Sequence, residues 1–292
     1  MKHIIIGASG LIGNSLYSIL KNNNEEVIGT YSNHIQPGLI RLDITEANFK
    51  DFIALIGSDD VVYLLAAYSN PSWIHKNKIE SEKLNLNSTI KLIDLLKVKS
   101  PRIIFMSSVE VFDGVKGDYL EYDAPNPLNY YGQMKHKIEV YLKNNYKKYT
   151  IVRTGWNVGL DKKSRCVVKL TYESLLKPGA KMALDNKFSI SSVEDTAKGL
   201  YALSKHKDID AVHICSDGVI SRTLLASMIC KNSVNAYNMD YSECLFDEVE
   251  YTEPRGRVNN LNNILSKNLL GLKYKNSEEV ILDKIKFIDK NE

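Results

Sequence analysis

Two side chains with complementary acid–base chemistry, Tyr131 and Lys135, lie four residues apart in a segment predicted to be helical, 129–147. At this spacing they are separated by about 40° around the helix axis, so they can act together. A free phenol has a pKa of about 10, and a neighbouring ammonium favours its ionised form. The pair is therefore a candidate for proton transfer to or from a substrate oxygen. The alternative is that Tyr131 only extends the apolar stripe of this helix.

A glycine-rich turn near the start of the chain predicts a dinucleotide site. An apolar strand ending at Ile6 runs into Gly7, Gly10 and Gly13, which are spaced three apart. The first glycine permits a tight turn, the second lets a pyrophosphate approach the backbone, and the third allows close packing of helix on strand. The N-terminus of the following helix attracts phosphate. The alternative is a glycine-rich turn without a ligand. The expected cofactor contacts are Gly7, Ser9, Gly10, Leu11, Ile12 and Gly13.

Strand and helix patterns alternate over the first 150 residues, which predicts an α/β fold with a doubly wound parallel sheet. Strands are expected at 27–30, 39–42, 61–65, 102–106, 150–152 and 211–214, and helices at 49–56, 73–98, 129–147, 167–176, 193–204 and 222–230. The predicted dinucleotide-binding Rossmann core is 1–155, with 188–215 rejoining it. A smaller C-terminal substrate-binding lobe is expected from 156–187 and 216–292.

Composition excludes several classes of function. The net charge is +3, with acidic and basic residues interspersed, so the basic stripe of a nucleic-acid-binding protein is missing. The six histidines and four cysteines show none of the usual metal-ligand spacings, and we expect no metal. No apolar run approaches the roughly 18 residues of a membrane span, and Ile4–Ile6 is too short for a signal peptide. We expect a cytoplasmic protein without a membrane partner.

A block between the two motifs makes the interpretation more specific. It runs from Ile103 to Gly114, with the sequence IIFMSSVEVFDG, and leads to Tyr131-Gly132. Together with Arg153-Thr154-Gly155-Trp156, this block resembles the extended short-chain dehydrogenase/reductase family, and within it the dTDP-4-dehydrorhamnose reductase group. The resemblance covers most of the chain, and 103–159 is its most specific part.

The resemblance implies that an NAD(P)H-dependent oxidoreductase reduces a keto group on a nucleotide-linked deoxysugar. Tyr131 would protonate the developing alkoxide, and Ser108 would hydrogen-bond the same oxygen. Lys135 would lower the pKa of Tyr131 and hold the nicotinamide ribose. Ser108, Tyr131 and Lys135 are thus the expected catalytic residues. The further cofactor contacts that the resemblance implies are Ala66, Ala67, Tyr68, Ser69, Tyr131 and Lys135.

The preference between NADPH and NADH rests on the end of the second strand. An acid there would bind the ribose 2′-hydroxyl and select NAD, but the chain reads Gly29-Thr30-Tyr31-Ser32-Asn33. Thr30 and Ser32 are instead candidates for a 2′-phosphate, so NADP(H) is favoured and NAD(H) is the alternative. Asp43, followed by Ile44, matches the place of the family's adenine-contacting acid. Asp43 is equally interpreted as the N-cap of a helix after Thr45.

Substrate contacts are expected at Ser108, Val109, Glu110, Trp156 and Arg257. The rhamnose-pathway reductases commonly carry Asp and then Tyr after the catalytic hydroxyl, where this chain has Val109 and Glu110. Sugar dehydratases carry Asp-Glu there. Valine removes the acid needed to expel a hydroxyl, which disfavours dehydration. Glu110 keeps the base position open to a proton-abstracting epimerase, and a solvated or arginine-paired carboxylate is the equal alternative.

Arg257, with Arg255, is a candidate for binding the nucleotide diphosphate, and an ordinary surface charge is the equal alternative. Trp156 is assigned to the sugar site by the resemblance, whereas Trp73 is expected to be structural. Two other functions stay open: a nucleotide-sugar epimerase with tightly bound NAD(P), and a non-catalytic NADP-binding regulatory subunit. Relatives commonly dimerise through helices of the nucleotide-binding half, so a homodimer is also expected.

Overall fold

The computed structural model of the protein describes residues 1–46, 49–162 and 164–291. Its strands are β1 His3–Ile6, β2 Val27–Tyr31, β3 Ile40–Arg41, β4 Val61–Leu64, β5 Arg102–Met106, β6 Tyr149–Thr154, β7 Trp156–Val158, β8 Lys181–Ala183, β9 Lys187–Phe188, β10 Ile190–Ser192, β11 Ala211–Ile214, β12 Ile220–Ser221, β13 Ser242–Cys244 and β14 Val258–Asn259.

The α-helices are α1 Leu11–Asn22, α2 Lys50–Ala54, α3 Pro71–Lys76, α4 Lys78–Ser81, α5 Ser88–Leu96, α6 Tyr130–Asn145, α7 Val167–Leu175, α8 Val193–Leu203, α9 Arg222–Asn232, α10 Ile264–Leu270 and α11 Ser277–Asn291. A π-helical turn, Glu82–Asn87, joins α4 to α5, and a 3₁₀ turn covers Val109–Val111.

Seven of the strands form one parallel sheet in the order β3-β2-β1-β4-β5-β6-β11. Apolar clusters cover both faces: one includes Ile4 and Ile6 with residues of α5 and α6, and the other includes Ile5 with residues of α1 and α8. Burial on both faces explains why these strands read as continuous apolar runs. The predicted α/β doubly wound fold is confirmed.

The order of strands reverses between β1 and β4, and this position fixes where a ligand can bind. In open parallel sheets the crevice outside the carboxyl ends of the strands, at the reversal point, is the usual binding site. The turns after β1, β4 and β5 all lie at this edge, because the three strands are parallel neighbours. These turns contain the glycine motif, Ala66–Ser69 and Ser108.

A third apolar cluster lies outside the large sheet. It joins helices α7, α9 and α11 to the small strands around Phe188 and Ile190. The strand predicted at 211–214 is present and pairs with β6 in the large sheet. The domain boundaries expected from the sequence stay a prediction.

The single helix predicted over 73–98 is wrong. The segment contains α3, α4, the π-helical turn and α5, with a break at Asn77, whose φ of −125° and ψ of 54° are not helical. The side chain of Asn77 donates a hydrogen bond of 2.8 Å to the carbonyl of Trp73. Such local side-chain bonds compete with the helix, which explains the break.

Candidate active site

The turn after β1 has the geometry that a bound pyrophosphate needs. Gly7 has φ of +96°, and a Cβ there would approach the amide nitrogen of Ala66 to 2.8 Å. A Cβ on Gly13 would overlap the carbonyl oxygen of Gly7. Gly10 is the N-cap of α1 and supplies no side-chain cap, so the first N–H groups of this helix, from Leu11 onward, are left for a ligand. Ser9 and Ile12 are both half-buried at the same turn.

Thr30 does not face the cleft, contrary to the sequence expectation. The residue is 1% exposed, and its Oγ1 accepts a hydrogen bond from the amide of Gly7 at 3.1 Å and donates to the carbonyl of Ile5 at 3.3 Å. Thr30 therefore stabilises the glycine turn, and its hydroxyl is already hydrogen-bonded within the protein and is not available to a phosphate. Ser32 is half-buried next to it and donates to the side chain of Asn33 at 3.3 Å.

Asp43 caps a turn instead of a helix. Its Oδ1 accepts bonds from the amide and the hydroxyl of Thr45, at 2.9 and 2.7 Å, and these bonds lower the pKa of Asp43. The next helix, α2, begins only at Lys50 and has Phe49 as its N-cap, so the helix-cap interpretation of Asp43 is wrong. Ile44 packs partly buried against the core.

The turn after β4 is held by a residue that the sequence reasoning missed. Asn85 is buried, and its side chain bonds both the amide and the carbonyl of Tyr68, each at 2.8 Å. The π-helical turn places Asn85 there, and such turns are frequent at functional sites. Ala66 is half-buried, whereas Ala67, Tyr68 and Ser69 are exposed. The ring of Trp73 packs 4.4 Å from that of Tyr68.

The start of α6 brings Tyr131 to Ser108. Asn129 caps the helix by accepting a bond of 2.9 Å from the amide of Gly132. A Cβ on Gly132 would overlap the carbonyl oxygen of Glu110, so this glycine lets the helix lie directly on the 3₁₀ turn. Ser108 caps that turn by accepting a bond of 3.2 Å from the amide of Glu110, and its hydroxyl lies close enough to the Tyr131 phenol to oppose the rise that burial causes in the pKa of that phenol. The two hydroxyls predicted to share one substrate oxygen are therefore neighbours.

Lys135 lies one turn behind Tyr131 and is buried. Its Nζ donates to the carbonyl of Met106 at 2.7 Å and lies 5.8 Å from the centre of the Tyr131 ring. Burial lowers the pKa of Lys135 to about 8, and the charge of Glu139 partly opposes this.

The expectation that Lys135 lowers the pKa of Tyr131 is not met in the protein alone. Burial raises the pKa of Tyr131, the charge of Glu110 raises it further, and only the Ser108 bond opposes them. Tyr131 is therefore a neutral phenol, which is the protonation state of a proton donor.

Val109 and Glu110 are adjacent in the sequence, but their side chains have different surroundings. Val109 is 4% exposed and packs with Val111 and Phe112 in a small apolar cluster, so its side chain is withdrawn as a proposed substrate contact. Glu110 is half-buried, and its Oε2 accepts a bond of 2.5 Å from Asn129. Burial raises the pKa of Glu110 most, nearby Glu253 adds to it, and the bond from Asn129 opposes it.

A buried ion pair anchors α6 behind the site. Arg153 and Glu139 are each 5% exposed and form two hydrogen bonds, of 3.0 and 2.7 Å. Ser107 donates to Glu139 at 2.5 Å, and Arg153 donates to the carbonyl of Glu121 at 3.1 Å. The pair thus ties the helix of Tyr131 and Lys135 to β5 and β6.

Arg222, another residue that the sequence reasoning missed, lies beside Trp156. Its guanidinium carbon is 5.8 Å from the centre of the Trp156 ring and 5.0 Å from that of Phe188. Its hydrogen bonds reach only neutral groups, Asn186 at 3.4 Å and Thr171 at 3.3 Å. Within residues 1–46, 49–162 and 164–291, no carboxylate forms an ion pair with it. Burial lowers the pKa of Arg222 to about 10.

Arg255 and Arg257, the two arginines that the sequence offers for binding a diphosphate, differ in their partners and exposure. Arg255 bonds the buried Glu253 and packs 5.2 Å from the centre of the Tyr251 ring, and its charge acts on both Arg222 and Glu110. Arg257 is 44% exposed and already pairs with Asp185 and Asp247. The surface-charge interpretation therefore applies to Arg257, and its expected substrate contact is withdrawn.

The family model described as the RmlD substrate binding domain matches residues 1–281. This chain belongs to that family. The resemblance to the dTDP-4-dehydrorhamnose reductase group is thereby confirmed, and the fold agrees with it.

Three proteins of different kinds are similar to this chain. The beta subunit of methionine adenosyltransferase 2 from Bos taurus is 29% identical over 143 residues, which are 49% of this chain and 43% of that protein; the chain spans about half the length of such subunits. The GDP-6-deoxy-D-talose 4-dehydrogenase of Aggregatibacter actinomycetemcomitans is 24% identical over 91% of each chain. The structure of the dTDP-4-dehydrorhamnose reductase from Bacillus anthracis in complex with NADP has a TM-score of 0.79 and 21% identity, covering 98% of this chain and 99% of that one.

Two features of the described residues bear on other functions. No group of three or more His, Cys, Asp or Glu side chains in that part of the chain is arranged to hold a metal ion. None of the helices seen there is long and apolar enough to cross a membrane.

Proposed function

We propose that the protein is an NAD(P)H-dependent reductase of the short-chain dehydrogenase/reductase type, acting on a keto group of a nucleotide-linked deoxysugar. The observation that carries the proposal is the Ser108–Tyr131 pair, with Lys135 one turn behind it, beside the glycine turn at the reversal point of the sheet. The match to the RmlD family supports the proposal, and so does the similarity to the talose dehydrogenase and to the rhamnose-pathway reductase.

The chain's own residues perform the proton chemistry. The nicotinamide, when bound, supplies the hydride. Ser108 and Tyr131 both donate hydrogen bonds to the keto oxygen, which stabilises the negative charge that develops on it. Tyr131 then transfers its proton to this oxygen, because an alkoxide is a far stronger base than a phenolate. Lys135 stabilises the phenolate left behind and is proposed to hold the nicotinamide ribose.

NADPH is the proposed cofactor, and NADH is the alternative. The end of β2 carries no carboxylate to repel a 2′-phosphate, and Ser32 lies there half-buried. Arg41 on β3 is paired in register with Tyr31 at the end of β2 and is exposed; its guanidinium forms an ion pair of 2.8 Å with the exposed Glu46, which a 2′-phosphate would replace. We add Arg41 as a 2′-phosphate contact in place of Thr30. The rhamnose-pathway reductase from Bacillus anthracis is in complex with NADP, which supports this choice.

The pH dependence of reduction is predicted from Lys135. Lys135 is charged below its pKa of about 8, whereas the raised pKa of Tyr131 keeps the phenol protonated far above that pH. We expect kcat/KM to fall about tenfold per pH unit above pH 8. In the Lys135→Arg variant this descending limb should move above about pH 10, since guanidinium stays charged. A pH profile of both proteins checks this, and an unmoved limb would assign it to another group.

The nucleotide diphosphate is proposed to bind at Arg222 and Arg255, with the sugar against Trp156. Arg222 is a guanidinium without a carboxylate partner among the described residues, so a bound anion would complete its pairing. We predict that Arg222→Met raises KM for the sugar nucleotide about 100-fold with little change in kcat. Arg257→Met, at a cation already paired on the surface, should change KM less than about threefold. Equal effects of the two substitutions would contradict this placement.

The proposed function is tested by screening 4-keto-sugars linked to thymidine, uridine and guanosine diphosphates for NADPH oxidation. The expected result is one NADPH consumed per keto group reduced for at least one of them. An epimerase with tightly bound cofactor would convert substrate without net consumption. No conversion of any member of the panel would defeat the proposal.

A regulatory subunit is the second candidate function, because the curated relatives include beta subunits of methionine adenosyltransferase 2. Under this proposal the chain binds NADP and acts on a partner enzyme. The two functions are separated by adding the purified chain to a methionine adenosyltransferase. A change of that enzyme's rate that Tyr131→Phe leaves intact would favour regulation.

We further propose a cytoplasmic homodimer. None of the four cysteines, which all lie within the described residues, forms a disulfide. Reduced thiols are expected of a protein in a reducing compartment. Light scattering of the purified protein measures the oligomeric state.

A further inference from the structure

Two neighbouring carboxyl groups lie beside the active site, and the reduction proposed above uses neither of them. Glu253 is 2% exposed; its Oε1 accepts bonds from Arg255, whereas its Oε2 is buried without a partner among the described residues. Burial raises the pKa of the half-buried Glu110, and the nearby charge of Glu253 raises it further. Oε2 of Glu110 accepts a bond of 2.5 Å from Asn129, and no described residue donates to its Oε1.

The two acids share one guanidinium. Arg255 pairs with Glu253, and its charge acts on Glu110 as well. Within residues 1–46, 49–162 and 164–291, neither acid has a second cation as an ion-pair partner. A diphosphate bound at Arg222 and Arg255 would draw on the same positive charge. A buried carboxylate oxygen without a donor is costly, so we expect the bound substrate to bring both a donor and a positive charge to this place.

The acids lie where substituents of the sugar ring are expected. Glu253 lines a surface cavity of about 530 Å³, together with His75 and Arg255 among others. The charge of Glu110 acts on the Tyr131 phenol, which is proposed to meet the keto oxygen. A substituent on the ring carbon next to the keto carbon is therefore the part of the substrate that we expect to reach the two acids.

We propose that Glu253, together with Glu110, binds an ammonium group of the sugar, so that the substrate is a nucleotide-linked keto-sugar with an amino group beside the keto carbon. The inference rests on the proposed function, which places the keto carbon at Tyr131, and it names the class of substrate. An ammonium has three N–H donors, enough for both free carboxylate oxygens, and its charge balances the second acid. A hydroxyl has one proton to donate and brings no charge.

The test compares two 6-deoxyhexoses that differ only at C3, where one carries an amino group and the other a hydroxyl. Both are alcohols at C4, as stable products of the proposed reduction, and each is prepared in both C4 configurations on thymidine, uridine and guanosine diphosphate. Titration calorimetry with NADP⁺ present measures the Kd, and the absorbance of NADPH measures oxidation of the sugar. We expect the amino sugar to bind at least about 100-fold more tightly at pH 7, as for a buried charge that gains its partner.

Glu253→Gln keeps the shape of the side chain and an acceptor for Arg255, but it removes the negative charge. We expect this variant to lower the preference for the amino sugar at least about 30-fold, and to change the Kd of the hydroxyl sugar less than about threefold. Glu250→Gln, at an exposed position of the same loop, should leave the preference unchanged. A preference that survives Glu253→Gln undiminished would overturn the inference.

The outcomes separate this inference from the proposed function. Equal affinities for the two sugars, in wild-type protein that oxidises either of them, would overturn the inference and leave the reductase intact. Tight binding of the amino sugar without any transfer of hydride would support the ammonium site and defeat the reductase. Binding of neither sugar on any of the three nucleotides would defeat both. The wild-type comparison needs no variant, so it decides even where a substitution prevents folding.

Discussion

Replacing Tyr131 with phenylalanine is expected to lower kcat/KM for keto-sugar reduction about 1,000-fold, within the range for loss of a positioned general acid. The variant removes one hydroxyl, which lies near that of Ser108, and keeps the ring in contact with the core. Folding and NADPH binding should therefore persist. Steady-state kinetics and cofactor titration of the same preparation measure the two effects separately.

Tyr130→Phe is the matched control, because it removes the same group from the neighbouring residue. Burial raises the pKa of the Tyr130 phenol and nearby Glu82 raises it further, and the ring centre lies 5.4 Å from Nζ of Lys78, on a different side of α6 from Lys135. We expect its rate to stay within about threefold of wild type. Equal losses in the two variants would mean that the effect comes from helix packing and not from proton transfer.

Arg153→Met is expected to destabilise the protein by about 3–5 kcal/mol, because it leaves the carboxylate of Glu139 buried and unpaired. The same substitution removes the bond from Arg153 to the carbonyl of Glu121. Loss of these contacts frees α6 from β6, so activity should fall together with stability. Chemical denaturation measures the free energy of unfolding.

The control for this effect is Lys198→Met. Lys198 pairs with Glu194 at 2.8 Å, but the two side chains are 49% and 57% exposed. Such a surface pair stabilises a helix by about 0.5 kcal/mol or less. A loss at Arg153 no larger than that at Lys198 would contradict the assignment of the buried pair as the anchor of α6.

Local patterns in the sequence predicted most of the sheet. The strands at Arg102–Met106 and Ala211–Ile214 have the bounds that their apolar runs suggest. Such runs are short and buried on both faces, so few other structures accommodate them. The glycine spacing predicted the turn after β1, because Gly7 has a positive φ that residues with a side chain rarely adopt.

The direction of individual side chains could not be predicted in this way. Thr30 and Val109 both follow plausible motifs, but each points into the protein. Neighbouring residues on a strand or turn face opposite sides. A prediction that is wrong by one residue therefore places in the cleft a side chain that is buried in the core. The break at Asn77 was missed because a side-chain bond to the carbonyl of Trp73 outweighs helix periodicity.

Contacts between residues that are far apart in the chain could not be predicted from the sequence. Arg222 approaches Trp156 from 66 positions along the chain, and Glu253 approaches Glu110 through Asn129 and Pro254. No spacing pattern connects these segments. The raised pKa of Tyr131 was also unpredictable, because it depends on burial and on the carboxylate of Glu110 more than on the amine four residues away.

The central claim is that hydride from a nicotinamide bound at the glycine turn reaches a sugar carbonyl held by Ser108 and Tyr131. The most direct measurement uses NADPH deuterated at the transferable position of the nicotinamide, with the keto-sugar that the panel identifies. We predict one deuterium on the new carbinol carbon of the product, and loss of this product in Tyr131→Phe. A product that carries no deuterium at that carbon would contradict it.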